Sequence, residues 1–220
     1  FMIAGQSNSA NSGQVPLSPL DERVCSGTAG RAWTTGADPQ AGATGRGGSP
    51  WPALGDLLAA RFNVPIGLVS VGVGGTRVAQ WQRGHPNNYF KRLIDGASLL
   101  GPNGARMLLW HQGESDASIG TSAEAYAQQL TDVITTMRAT IGWDIPWAIA
   151  EAAYLPNLAN CVRTPQCDNV DGVLECTERF RCPTGDAVIA GQNQVVANVP
   201  GVIAGPTTET MVGPGWRYDN

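Results

Sequence analysis

The run Pro-Ile-Gly-Leu-Val-Ser-Val at residues 65–71 constrains the fold more than any other stretch of this chain. A strand that shows one face to water alternates polar and apolar residues. A nearly all-apolar strand has to be covered on both faces, as in a parallel sheet lying between helices. Short runs with the same signal recur at residues 1–5, 106–110, 146–153 and 201–204. Between them lie stretches of helical period. Leu54, Leu57, Leu58 and Phe62 mark a helix over 52–62, and Tyr126, Leu130, Val133, Ile134 and Met137 mark a longer one over 122–141. Residues 89–100 and 186–198 are also expected to be helical. Strands alternating with helices predict an α/β fold, a three-layer α/β/α sandwich around a mostly parallel sheet of about five strands.

The chain reads as a single domain over residues 1–220, with no internal repeat and with an insertion at about 160–183. It begins abruptly inside its first strand, so it is read as incomplete at both ends. Residues 9–50, rich in Gly, Ser, Thr, Pro and Asn, are expected to form a long irregular loop. Because that loop starts directly behind Ser7, it is either a wall for a cleft or a mobile surface excursion.

Composition excludes several partners. Lys91 is the only lysine and the formal net charge is −4, so the chain carries no basic stripe for nucleic acid. No apolar run approaches the length of a membrane span. Of the five cysteines, Cys161, Cys167, Cys176 and Cys182 fall in one polar segment, leaving Cys25 apart. Five residues separate Cys161 from Cys167, and five separate Cys176 from Cys182. That is wider than the two to four, roughly, of a zinc knuckle. The spacing favours two disulfides, and with them a secreted, periplasmic or extracellular setting.

Three predicted strand ends carry residues with chemical potential. The first opens into Gly5-Gln6-Ser7-Asn8, the second into Gly72-Val73-Gly74-Gly75-Thr76, and the third into His111-Gln112-Gly113-Glu114-Ser115-Asp116. Carboxyl ends of parallel strands share one edge of a sheet, where ligands bind. A serine hydroxyl there becomes a nucleophile once a base takes its proton. Backbone amides at glycines, together with a side-chain amide, can hold a tetrahedral oxyanion. Taken singly, each element has a plainer reading. Ser7 could cap a helix, and the glycine run lacks the ending of a phosphate-binding loop. Glu114 and Asp116 lie too close in sequence to act as opposed glycosidase carboxylates. Trp51, Trp81 and Trp110 are possible sugar-stacking faces, with core packing the expected role of at least Trp110.

In this order and spacing the three motifs closely resemble those of the SGNH hydrolases. More narrowly, they resemble the carbohydrate acetylesterase branch that includes sialate O-acetylesterases and acetyl-xylan esterases. The glutamine of the third motif is its most specific mark. The resemblance implies a flavodoxin-like sandwich and a serine esterase that removes acetyl groups from carbohydrates without metal or cofactor. It implies Ser7 as nucleophile, and an oxyanion hole formed by the amides of Ser7 and Gly75 and the side chain of Gln112. Gly74 and Glu114 are supporting residues. The family's closing motif is Asp-x-x-His, whose histidine is the general base. Asp219 matches its aspartate, which places the histidine two residues beyond Asn220. Neither histidine present replaces it in this reading. Strand alternation turns His111 away from the side that Gln112 faces, and His85 lies in a polar loop. A non-catalytic carbohydrate-binding relative and a general lipase or aryl esterase are the competing readings.

Overall fold

The computed structural model describes residues 1–30, 32–101, 104–153, 162–170, 173–181 and 185–208. In chain order the elements are β1 (Met2–Gly5), β2 (Val24–Gly27), β3 (Thr34–Thr35), α1 (Trp51–Phe62), β4 (Ile66–Ser70), α2 (Tyr89–Leu99) and β5 (Leu108–His111). They continue with α3 (Glu114–Ser118), α4 (Ala123–Ile141), β6 (Trp147–Glu151), β7 (Val162–Val170), β8 (Val173–Arg181), α5 (Asp186–Asn198) and β9 (Val202–Thr207). The main sheet has seven strands in the order β3-β2-β4-β1-β5-β6-β9. Every neighbouring pair is parallel except β2 with β3. The strands β4-β1-β5-β6-β9 reproduce the flavodoxin-like order, in which the chain reverses its direction of winding beside the first strand.

Each helix stops and starts where its sequence provides for it. Ser122 caps α4 by accepting the amide of Ala125 at 3.2 Å, and Gly142 ends that helix with a left-handed φ of 76°. The apolar stripe of α4, from Tyr126 to Met137, is fully buried with α2, α5 and one face of the sheet. On the opposite face Trp51 and Ala59 of α1 pack over Ile3, Val24, Ile66 and Leu68. Adjacent strand residues therefore point into different cores, and each fully buried Leu, Ile or Val contributes about 1.5–3 kcal/mol. Three indoles form a file through the larger core. Trp81 meets Trp110 edge-on at 5.4 Å, and Trp110 lies 5.7 Å from Trp147. Burial settles the roles of Trp81 and Trp110 as core, with 0% and 1% exposed.

One expectation changes. The sheet has seven strands, because residues 9–50 are not structureless. They contribute β2, which pairs with β4 from Val24↔Ile66 to Gly27↔Val69, and the two-residue β3. Neither was readable from hydrophobic pattern, since Val-Cys-Ser-Gly and Thr-Thr carry no apolar run. The segment at 160–183 contains the hairpin β7–β8 as a sheet of its own. Its signal was the Asp171-Gly172 dipeptide between the strands, a strong short-range hairpin mark. Among the described residues no helix is long and apolar enough to cross a membrane.

Candidate active site

The site is built where β4, β1 and β5 end side by side. The Val73 amide donates to Gly5 O at 2.9 Å, and the Gln6 amide donates to His111 O at 2.9 Å. Gly5 has a φ of 128°, and a Cβ there would overlap the carbonyl of His111. Only glycine lets β1 and β5 approach this closely and turn. Behind it Ser7–Ser9 form one 3-10 turn. Ser9 fixes that turn: its amide and its hydroxyl both donate to Gln6 O, at 2.9 and 2.8 Å. Trp51 Nε1 donates to Ser9 O at 3.2 Å, so Trp51 braces the turn that carries Ser7.

Ser7 is half-buried. Among the described residues neither its amide nor its hydroxyl has a hydrogen-bond partner. Gly75 is exposed with a φ of 69°, nothing lies within 4 Å of where a Cβ would stand, and its amide is likewise without a partner among those residues. The Gly74 amide is different: it donates to Thr44 Oγ1 at 3.0 Å. The geometry therefore selects Gly75 over Gly74 as the free donor. Thr44 belongs to the long excursion behind Ser7. That excursion is stitched to the Ser7 turn through Gly45 N to Ala10 O at 2.7 Å and Gly47 N to Asn11 O at 2.8 Å. It is a wall attached to both motifs.

Gln112 does not present a free amide. Its side chain is fully buried, and Nε2 donates to Asp116 Oδ2 at 2.6 Å and Thr76 O at 2.8 Å, with Gln6 Oε1 at 3.2 Å. Its Oε1 accepts from the Tyr126 hydroxyl at 3.0 Å. A primary amide has two N–H groups, and both are engaged internally. The carboxylate beside Nε2 also fixes which end of the amide is which. Gln112 thus ties the residue before Ser7 to the residue after Gly75. Sequence reasoning made it a donor to substrate; the structure makes it a clasp beneath the two donors.

Asp116 completes the clasp. Its Oδ2 also accepts the Val78 amide at 2.8 Å and its Oδ1 accepts Thr121 Oγ1 at 3.0 Å. Burial pushes its carboxyl above the usual carboxylate range, against the pull of these hydrogen bonds. Gln192 extends the network by donating to Gln112 O at 3.0 Å and Ala152 O at 2.9 Å, which joins β5 to β6. Its signal was too faint to read: a single amide on the buried side of α5.

Glu114 is buried and accepts Asn8 Nδ2 at 3.1 Å, so it holds the turn that carries Ser7. His111 lies on the α1 side of the sheet with Leu109, while Gln112 reaches Tyr126 of α4 on the other side. The His111 Nδ1 stands 3.9 Å from Glu114 Oε1 and has no hydrogen-bond partner among the described residues. Burial lowers its pKa to about 4, so the ring is neutral near pH 7. No hydrogen bond joins it to Ser7. His85 sits in the turn before α2, where its Nδ1 accepts the Asn87 amide at 3.2 Å. Asp219 lies outside the described residues. Among the described residues no group of three or more His, Cys, Asp and Glu could hold a metal ion.

Comparisons with known proteins bear on the fold and the family. A probable carbohydrate esterase of Arabidopsis thaliana is 32% identical over 75 residues, which make up 33% of this chain and 28% of the plant protein. A solved structure of an Arabidopsis thaliana protein matches with a TM-score of 0.66 at 19% identity, covering 93% of this chain and 84% of that one. A carbohydrate acetylesterase from Xanthomonas citri matches with a TM-score of 0.54 at 17% identity, over 94% of this chain and 50% of its own. These two likenesses show the fold. The model of the family described as carbohydrate esterase, sialic acid-specific acetylesterase, matches residues 1–177. The chain belongs to that family.

Proposed function

We propose that this member of the carbohydrate esterases is a serine O-acetylesterase acting on an acetylated sugar, of the acetyl-xylan or sialate type. The observation that carries the reading is the pairing of an unpartnered Ser7 hydroxyl with two unpartnered amides, of Ser7 and Gly75, at adjoining strand ends. Ser7 Oγ attacks the acetyl carbonyl, and the two amides take the charge that develops on its oxygen. The bond to the sugar oxygen breaks, the sugar leaves with a proton, and water then releases acetate from Ser7. Gln112 and Asp116 act beneath this step by holding both donors in place. The general base is the histidine of the Asp-x-x-His pattern, oriented by Asp219, and it is expected beyond Asn220. The exported setting expected from the cysteines suits a polysaccharide or glycoconjugate substrate.

The test uses a protein extended through that histidine. It is expected to release acetate from acetyl-xylan or from O-acetyl sialic acid, and to hydrolyse p-nitrophenyl acetate. Ser7→Ala is expected to abolish all of these. An extended, folded protein that is inert on every one of them, yet retains the carbohydrate, would instead be a binding protein of the same fold.

A further inference from the structure

The strand pair β7–β8 is inserted between β6 and α5. That connection runs from the carboxyl end of a parallel strand, so the hairpin departs from the same sheet edge that carries Ser7. Its antiparallel ladder runs without a shift from Val162↔Arg181 to Val170↔Val173, and it places Cys167 directly opposite Cys176. The residues between the strands are Asp171-Gly172. Two-residue hairpin turns favour that dipeptide because both central positions need a positive φ. Turn chemistry and strand ladder therefore arrive at one register by separate routes. Cys161 and Cys182 each stand next in sequence to the outermost pair of the ladder, Val162 and Arg181.

We infer that this arm is closed by two cross-strand disulfides, Cys167–Cys176 and Cys161–Cys182, and that Cys25 remains a thiol. Opposed residues of an antiparallel pair have Cα atoms about 4.5–5.5 Å apart, inside the span of about 4.4–6.8 Å that a disulfide tolerates. Either alternative connectivity would join cysteines offset by six positions along the ladder, a displacement of roughly 20 Å at the rise of a strand. The same displacement prevents the four thiolates from sharing one zinc, whose sulfur ligands lie about 2.3 Å from the metal. Cys25 pairs in the sheet with Gly67 and Thr35 and is a free, half-buried thiol. Each bridge forms when two thiols lose two protons and two electrons to a disulfide oxidant such as glutathione disulfide, which departs as two thiols. The result is a cross-linked two-stranded arm, whichever ester the site accepts.

Trypsin separates the possibilities. It cuts after Arg163, Arg179 and Arg181, and no lysine or arginine lies between Cys167 and Cys176. The protein is equilibrated in a glutathione redox buffer, its free thiols are alkylated, and it is digested without reductant for mass spectrometry. Peptide 164–179 is expected alone and lighter by the two hydrogens of an internal bridge. Peptide 139–163 is expected joined to 182–217 until a reductant is added, and Cys25 is expected alkylated. A single species linking all three peptides would overturn the pairing. So would alkylation of all four arm cysteines, or four thiols that co-purify with zinc.

Discussion

The two halves of the candidate site are held in opposite ways. Ser7 and Gly75 leave their polar groups open towards the cleft. Directly beneath them, Gln112 and Asp116 spend every donor and nearly every acceptor on each other, on Thr76, Val78, Gln6, Tyr126 and Thr121. The open half is free to change its interactions when a substrate arrives. The closed half fixes where the open groups stand, and pre-set donors are worth more than donors that must be reoriented during reaction. Substitutions in the two halves should therefore leave different signatures.

The largest effect belongs to the open half. In the extended protein Ser7→Ala should lower acetate release by up to roughly a million-fold, as removal of the nucleophile does in a serine protease. With no side-chain partner to lose, its stability should stay within about 0.5 kcal/mol of the parent. Kinetics and chemical denaturation on one preparation check both halves of that statement. Gln112→Ala should behave differently, losing about 2–4 kcal/mol because it strands buried acceptors and leaves Asp116 without its closest donor. Turnover should fall with it by roughly a hundred-fold as the donors lose their support. Lost turnover at unchanged stability would instead return Gln112 to direct contact with substrate.

His111, on the other side of the sheet from the closed half, is tested by pH. Its folded pKa, about 4, lies below the ordinary 6.5, so folding favours the neutral ring. The stability this confers is fully present above pH 6.5 and is lost as pH falls towards 4, with a total on the order of 3 kcal/mol. His111→Gln should flatten that part of the stability profile, measured by denaturant titration across the range; an unchanged slope would place the titrating group elsewhere. The smallest effect is expected at the boundary between the halves. Thr44→Val removes the acceptor of the Gly74 amide and should cost about 0.5–1.5 kcal/mol. Its kinetic mark should be a loosened Gly75 donor, seen as a fall in kcat of a few-fold with little change in KM.

Much of this was legible in the residues, and for identifiable reasons. The runs at 65–71 and 106–110 predicted β4 and β5 because strands covered on both faces advertise themselves. The apolar stripe of α4 placed that helix at 122–141, close to its observed bounds Ala123–Ile141. The positions of Ser7 and Gly75 at strand ends followed from parallel topology alone. What escaped were β2 and β3, where pairing with neighbours decides the structure and the local pattern is silent. Gln112 escaped in a subtler way. Its chemical type suits both an oxyanion donor and a clasp. Only the positions of Asp116, Thr76 and Tyr126, the last on α4, decide how its hydrogens are spent.

The file of Trp81, Trp110 and Trp147 has an optical consequence. Indoles with ring centres 5.4 and 5.7 Å apart in a rigid core couple their electronic transitions and share excitation. Their coupling should appear as an intense, signed band in the circular dichroism of the aromatic region. Trp81 follows the loop of Gly75 and Trp110 precedes Gln112 by two residues, so the file ties to both the Gly75 loop and the Gln112 clasp. The protein thus carries a built-in, label-free gauge of whether the floor of its cleft is intact, readable without any substrate.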